Sequence, residues 1–184
     1  RIFGGGVTEA EYADVYNRHA AELDVSNNSW GYNGFFYDNL DGALFDSVGA
    51  AIENAAANGR DGLGTVMLWA AGNSRLEGQD VNYHGFQNAR ETIAVAAIDN
   101  GGDISFYSTP GAAILVGAPS NGGSAGIVTT DLLGSSGYAA GDYTASFGGT
   151  SAATPITAGA VALILEANPL LGYLDVQEIL AYSA

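Results

Sequence analysis

Three short stretches hold residue types and spacings that could do chemistry. The first is Gly148-Gly149-Thr150-Ser151-Ala152-Ala153-Thr154-Pro155, small residues that open a strongly apolar, helix-like segment. A hydroxyl at Ser151 would sit where backbone N–H groups are free and the helix dipole is positive. Those conditions suit a nucleophile whose attack creates an oxyanion, and small neighbours let a substrate backbone approach. The same pattern describes a plain Thr or Ser cap of a core helix. Pro155 fits both readings, because the first turn has no internal N–H bond to lose.

The second stretch is Ala70-Ala71-Gly72-Asn73, just past the end of an apolar run. In open parallel sheets ligands bind outside the carboxyl ends of strands, where the Asn73 amide could donate to a developing oxyanion. A Gly-Asn turn is also a frequent strand exit. The third is Asn27-Asn28-Ser29-Trp30-Gly31, where a glycine could leave a strand edge open to an extended peptide. A buried tryptophan before an ordinary turn reads equally well. Of the two histidines, His19 in R-H-A-A falls on a helix surface, three residues after Tyr16. His84 in N-Y-H-G-F either lines a pocket or is exposed on a turn.

Elements must hold these residues in place. Thr8-Glu9-Ala10-Glu11 is a capping box and predicts a helix running to about Leu23. Val25–Trp30 reads as a short extended segment. A second helix is predicted from about Leu40 to Gly59, with Leu44, Val48 and Ile52 on one face. Thr65–Ala71 is a nearly unbroken apolar run of strand length, the pattern of a strand covered on both faces. Thr92–Ile98 and Ala113–Ala118 are further buried strands, and Ile127–Thr130 with Tyr143–Phe147 form a possible hairpin. Ser151–Ala167 and Leu174–Tyr182 are the closing helices. The alternation predicts an α/β architecture with a mainly parallel sheet, without repeats or a dividing linker.

Composition narrows the function classes. An apolar fraction of 47% excludes a disordered chain. The net charge of −15, with five arginines and no lysine, leaves no basic patch for nucleic acid. The acidity keeps the surface solvated or supplies oxygen ligands for a hard cation such as calcium. Without cysteine, thiol catalysis, zinc–thiolate sites and disulfides are excluded. No apolar run reaches the roughly 18 residues of a membrane span. The chain begins at Arg1 rather than methionine, which predicts a fragment or a processed product.

In this order and register, the motifs resemble those of subtilisin-like serine proteases, the subtilases of peptidase family S8. G-T-S-A-A-T-P resembles the family's serine motif, A-A-G-N its oxyanion-hole segment, and N-S-W-G its substrate-binding strand. Ile93–Ile98 resembles a family core strand, and Val161–Leu180, with L-I-L-E-A-N-P and D-V-Q-E-I-L, looks kexin-like. The resemblance covers essentially the whole chain and is closest to the kexin-like branch.

The resemblance implies the subtilisin-like three-layer fold, with residues 1–184 as the C-terminal portion of one catalytic domain. It implies a serine endopeptidase with Ser151 as the acyl-forming nucleophile and Asn73 as oxyanion donor, together with the Ser151 N–H. Ser29, Trp30 and Gly31 match one wall of the peptide cleft, and Gly4–Gly6 fall where the opposite wall would lie. Ala70, Ala71 and Gly72 match a wall of the pocket for the side chain before the scissile bond.

The family's aspartate and H-G-T-like histidine precede this region, so the 184 residues alone are expected to be nearly inactive. A catalytically silent binding or structural domain is the alternative. Positions matching the carboxylates with which kexin-like enzymes select basic residues read Asn33, Gln79, His84 and Thr109, with Asp80 out of register. A broader specificity than that of a proprotein convertase is therefore expected. The family also implies a polypeptide substrate, a secreted or cell-envelope location, no cofactor for the chemistry, and structural calcium. Asp38, Asp41, Asp99 and Asp103 could contribute oxygens to the last, although no self-sufficient calcium motif is present.

Overall fold

The structure is a computed structural model that describes residues 7–184. Its centre is strand β2 (Val66–Ala70), buried at all five positions. Strand side chains alternate between faces, and β2 uses both. Val66 and Leu68 join Ile93, Val95, Val161, Leu165 and Val176 in one core. Met67 and Trp69 join Tyr12, Tyr16, Phe45, Val48, Ile52 and Phe86 in the other. An apolar run without alternation is what a strand between two helical layers requires.

Strand β1 (Val25–Asn28) pairs in parallel with β2, β2 with β3 (Thr92–Ile98), and β3 with β4 (Ile114–Pro119). Helices α1 (Glu9–His19) and α2 (Asp46–Gly62) cover one face of this sheet. Helices α4 (Thr150–Ala167) and α5 (Tyr173–Ser183) cover the other. A four-residue helix, α3 (Gly85–Asn88), lies between β2 and β3. Strands β5 (Ile127–Thr130) and β6 (Tyr143–Phe147) form a separate antiparallel pair, the expected hairpin. The architecture is the three-layer α/β arrangement read from the sequence.

The boundaries differ in instructive places. The Thr8 capping box forms, with Thr8 N donating to Glu11 Oε2 at 2.8 Å. α1 nevertheless stops at His19 rather than Leu23, and the Thr65 hydroxyl reaches the carbonyls of Ala20 and Leu23 beyond it. α2 begins six residues later than Leu40, because Asn39–Phe45 fold into turns closed on the Asn39 and Gly42 carbonyls. That shift leaves Leu44 49% exposed and buries Phe45 completely. α2 loses helical geometry at Gly59, as expected, and Arg60 and Asp61 follow in left-handed conformations. α4 has 18 residues and is long and apolar enough, by length and composition only, to cross a membrane, although Ser151, Pro155, three threonines and Glu166 interrupt its apolar run. In this fold it lies against the sheet, with Val161 and Leu165 in the core.

Candidate active site

The glycine pair before α4 shapes the start of that helix. Gly149 has φ +82°, in the left-handed region that favours glycine. A Cβ at Gly148 would overlap the carboxamide of Asn121. Asn121 Oδ1 accepts from Gly149 N at 3.1 Å and from the Tyr107 hydroxyl at 2.6 Å. Ser120 Oγ donates to the Gly149 carbonyl at 2.7 Å. Ser151 thus occupies the second helical position, where a backbone N–H has no intrahelical acceptor.

Asn73 faces this turn from the carboxyl end of β2. Its Oδ1 accepts from Thr150 N at 2.8 Å and from Thr150 Oγ1 at 3.1 Å. Both bonds require the oxygen to face α4, which fixes the orientation of the amide. Nδ2 finds no acceptor among the described residues and is left free to donate. Thr150 Oγ1 also accepts from Gly72 N at 3.1 Å, tying the loop after β2 to α4. The next residue, Ser74, donates its N–H to Thr109 Oγ1 at 3.1 Å.

The segment after β1 forms the adjoining wall. Ser29 Oγ donates to the Ser151 carbonyl at 3.2 Å, so this strand end and the serine turn are joined directly. Trp69 Nε1 donates to the Trp30 carbonyl at 3.0 Å, and the Trp30 ring stacks on Tyr12 with centroids 4.7 Å apart. Trp30 also meets Trp69 and Phe86 edge-on. Tyr16 donates to Asn28 Oδ1 at 2.9 Å, and burial pushes its phenol well above the ordinary tyrosine range. At Gly31 a Cβ would press on Gln87 Nε2, whose amide donates to the Ala70 carbonyl.

Ser29, Trp30, Gly31, Ala70, Ala71, Gly72, Asn73 and Ser151 all line one cleft of about 200 Å³. Asn33, Gln79, His84, Thr109 and Thr150 line it as well. Every site residue proposed from the sequence and described in the structure is therefore in one place. Gly4–Gly6 lie outside the described residues.

His84 is 4% exposed, which corrects the turn-exposed reading and leaves the pocket reading. Its Nδ1 lies 3.3 Å from Asp38 Oδ1 and its Nε2 lies 2.9 Å from Gln79 Oε1. His19 is on α1, half-exposed and paired with Glu22 at 3.1 Å. The aspartates named for calcium do not gather into one carboxylate cluster. Asp38 is fully buried against His84, while Asp99 closes its own turn by accepting from Gly101 N and Asp103 N. No group of three or more His, Cys, Asp or Glu side chains that could hold a metal occurs among the described residues.

Sequence reasoning missed Thr150, Tyr107, Ser120 and Asn121. The Gly148-Gly149 pair was the available signal, since such a pair implies that something packs close to the backbone there.

A parallel sheet between helical layers, with a serine at a helix start opposite a locked asparagine in one cleft, defines the class as a three-layer α/β fold. The chain matches the subtilase family, Peptidase_S8, over residues 3–184 and belongs to that family. It is 33% identical, along its full length, to mouse proprotein convertase subtilisin/kexin type 7, covering 24% of that protein. It is 39% identical, over 87% of its length, to a calcium-dependent protease of Trichormus variabilis, covering 27% of that protein. The dibasic-processing endoprotease of Schizosaccharomyces pombe is 33% identical across the whole chain, which covers 25% of it. The chain thus spans about a quarter of these relatives' lengths. Among solved structures, an Aeromonas sobria serine protease in complex with its chaperone superposes with a TM-score of 0.84 at 23% identity. That match covers 96% of this chain and 36% of the Aeromonas chain.

Proposed function

We propose that residues 1–184 are the C-terminal portion of a subtilase catalytic domain that hydrolyses peptide bonds through an acyl-enzyme on Ser151. The observation that carries this reading is the locked Asn73 amide opposite the start of α4. Ser151 Oγ attacks the scissile carbonyl, a base takes its proton, and negative charge moves to the carbonyl oxygen. Asn73 Nδ2 and the Ser151 N–H are the donors for that charge, fixed before reaction and so needing no reorganisation. Collapse of the tetrahedral intermediate expels the amine, and water then releases the acid.

Neither histidine in the sequence is free to serve as the base. Both ring nitrogens of His84 are engaged, and His19 belongs to α1. We assign the base and its orienting aspartate to a part of the domain outside these 184 residues, as the family order implies. β1 has an open edge among the described residues, and α4 exposes Ile156 and Leu163. In this reading the rest of the domain covers both, and the 184 residues alone are nearly inactive. The substrate is a polypeptide, the specificity is broader than dibasic, and the location is secreted or at the cell envelope.

The commitment of both histidines favours a second reading, a catalytically silent binding or structural domain. A fluorophosphonate probe applied to the full-length protein separates the two. The enzyme reading expects labelling at Ser151 and loss of proteolysis in Ser151→Ala. Absence of labelling, or proteolysis surviving Ser151→Ala, overturns it.

A further inference from the structure

The chain Asn33–Gln79–His84–Asp38 runs from the cleft into the core, and its proton count can be read from its geometry. Gln79 Nε2 donates to the Asn33 carbonyl at 2.6 Å, which turns Oε1 toward His84 Nε2 at 2.9 Å. An amide oxygen can only accept, so His84 Nε2 carries a proton. On the far side Nδ1 faces Asp38 Oδ1 at 3.3 Å, and that contact needs a proton of its own. On the ring it makes an imidazolium–carboxylate pair; on Asp38 it makes two neutral groups. The net charge is zero in both cases.

Position gives this neutrality its consequence. Asp38 is fully buried, and its Oδ2 accepts from Phe86 N at 3.3 Å. His84 lines the cleft and Asp38 does not, so the ring lies between the carboxylate and any bound side chain. No aspartate, glutamate, lysine or arginine lines the cleft among the described residues. A substrate cation entering would lose its hydration and meet a carboxylate that already has a partner, which is strongly unfavourable.

We propose that His84 is a built-in counter-group that neutralises Asp38 from the cleft side, so the pocket selects uncharged side chains and rejects lysine and arginine. This rests on the protease reading above and adds the substrate class. Removing His84 should unmask Asp38 and turn the pocket toward basic residues.

The test uses the full-length protease and peptides differing only before the scissile bond, with leucine, glutamine or arginine there. Wild type is expected to favour the uncharged residues over arginine by at least about tenfold in kcat/KM, the scale of one unfavourable site interaction. His84→Ala should raise the arginine-to-glutamine ratio by about tenfold or more, and adding Asp38→Asn should cancel that rise. His84→Gln is the second variant, keeping a polar side chain beside Gln79 without the counter-charge. A wild-type preference for arginine, an unchanged ratio in folded variants, or a rise that survives Asp38→Asn overturns the proposal. If neither variant folds, the wild-type profile alone decides. Fluorophosphonate labelling of Ser151 is read in parallel, so failure of the acyl-transfer reading is seen separately.

Discussion

Asn73 Oδ1 accepts twice from Thr150, and this division of labour within one side chain makes the proposed oxyanion role separable from the fold. Asn73→Asp keeps an acceptor for Thr150 but removes the donor and adds a charge that opposes the oxyanion. If the full-length protein is the proposed protease, this substitution should lower kcat by about 10²–10³-fold or more, with KM little changed. Asn73→Leu should lose the Thr150 bonds too and lower the unfolding midpoint. Steady-state kinetics beside thermal unfolding tells these apart; an unaltered kcat in Asn73→Asp removes Asn73 from the mechanism. The placement of Ser151 and Asn73 was legible because their neighbours are local in sequence: a glycine-led helix start and a strand exit. His84 was not, because its burial depends on Asp38, 46 residues away, and on Gln79. Likewise, the bonds that brace Gly149 come from Tyr107, Ser120 and Asn121 across the fold, and no periodicity announces them.

Two connections between elements carry predictions of their own. Arg60 ends α2 with its side chain 6% exposed, and its guanidinium donates to Leu171 O at 2.9 Å and Pro169 O at 3.0 Å. It also pairs with Asp24 at 3.1 Å, so one residue ties the end of α2 to the approach to β1 and to the α4–α5 turn. Arg60→Ala should cost about 2–4 kcal/mol, since charged hydrogen bonds are lost and carbonyls left unpaired. Urea unfolding measures this, and a change below about 0.5 kcal/mol, the scale of a featureless surface substitution, contradicts it.

The loop joining β5 and β6 is tied by Asp131. The backbone N–H of Ala139, then those of Leu132 and Tyr138, hold its carboxyl below the usual carboxylate range. A carboxylate with a lowered folded pKa stabilises above its unfolded pKa and loses that contribution as pH falls through the folded value. The stability gap between wild type and Asp131→Asn should therefore be full near neutral pH and close in acid. Equal gaps at both ends of a pH series of denaturation curves would count against it. Strand and helix identities were legible here from apolar runs and caps. The start of α2 was not, because the turns closed on Asn39 and Gly42 move the helical phase by one residue, from Leu44 to Phe45.

At the scale of the molecule, one buried strand organises two cores, and an unbroken V-M-L-W-A run already implied that layering. The net charge of −15 is spread over a chain with only five arginines to offset it. Self-repulsion of that kind destabilises the compact state and is screened by salt. The thermal midpoint should rise between about 0.01 M and about 0.5 M sodium chloride, over which the Debye length shrinks several-fold. A flat or falling midpoint in calorimetry would show that the surface charges are already balanced locally.

The bond from Ser74 N to Thr109 Oγ1 also bears on how the site ages. Asparagine side chains deamidate when the following backbone nitrogen attacks their amide carbon through a five-membered succinimide ring. At Asn73-Ser74 that nitrogen is held by Thr109, so the route should be slowed at the one asparagine whose conversion would erase the proposed oxyanion donor. Thr109→Val frees the nitrogen and should shorten the shelf life of the active site. Stored samples would accumulate isoaspartate at position 73 faster than wild type, as peptide mapping would detect; equal rates in the two proteins refute the protection.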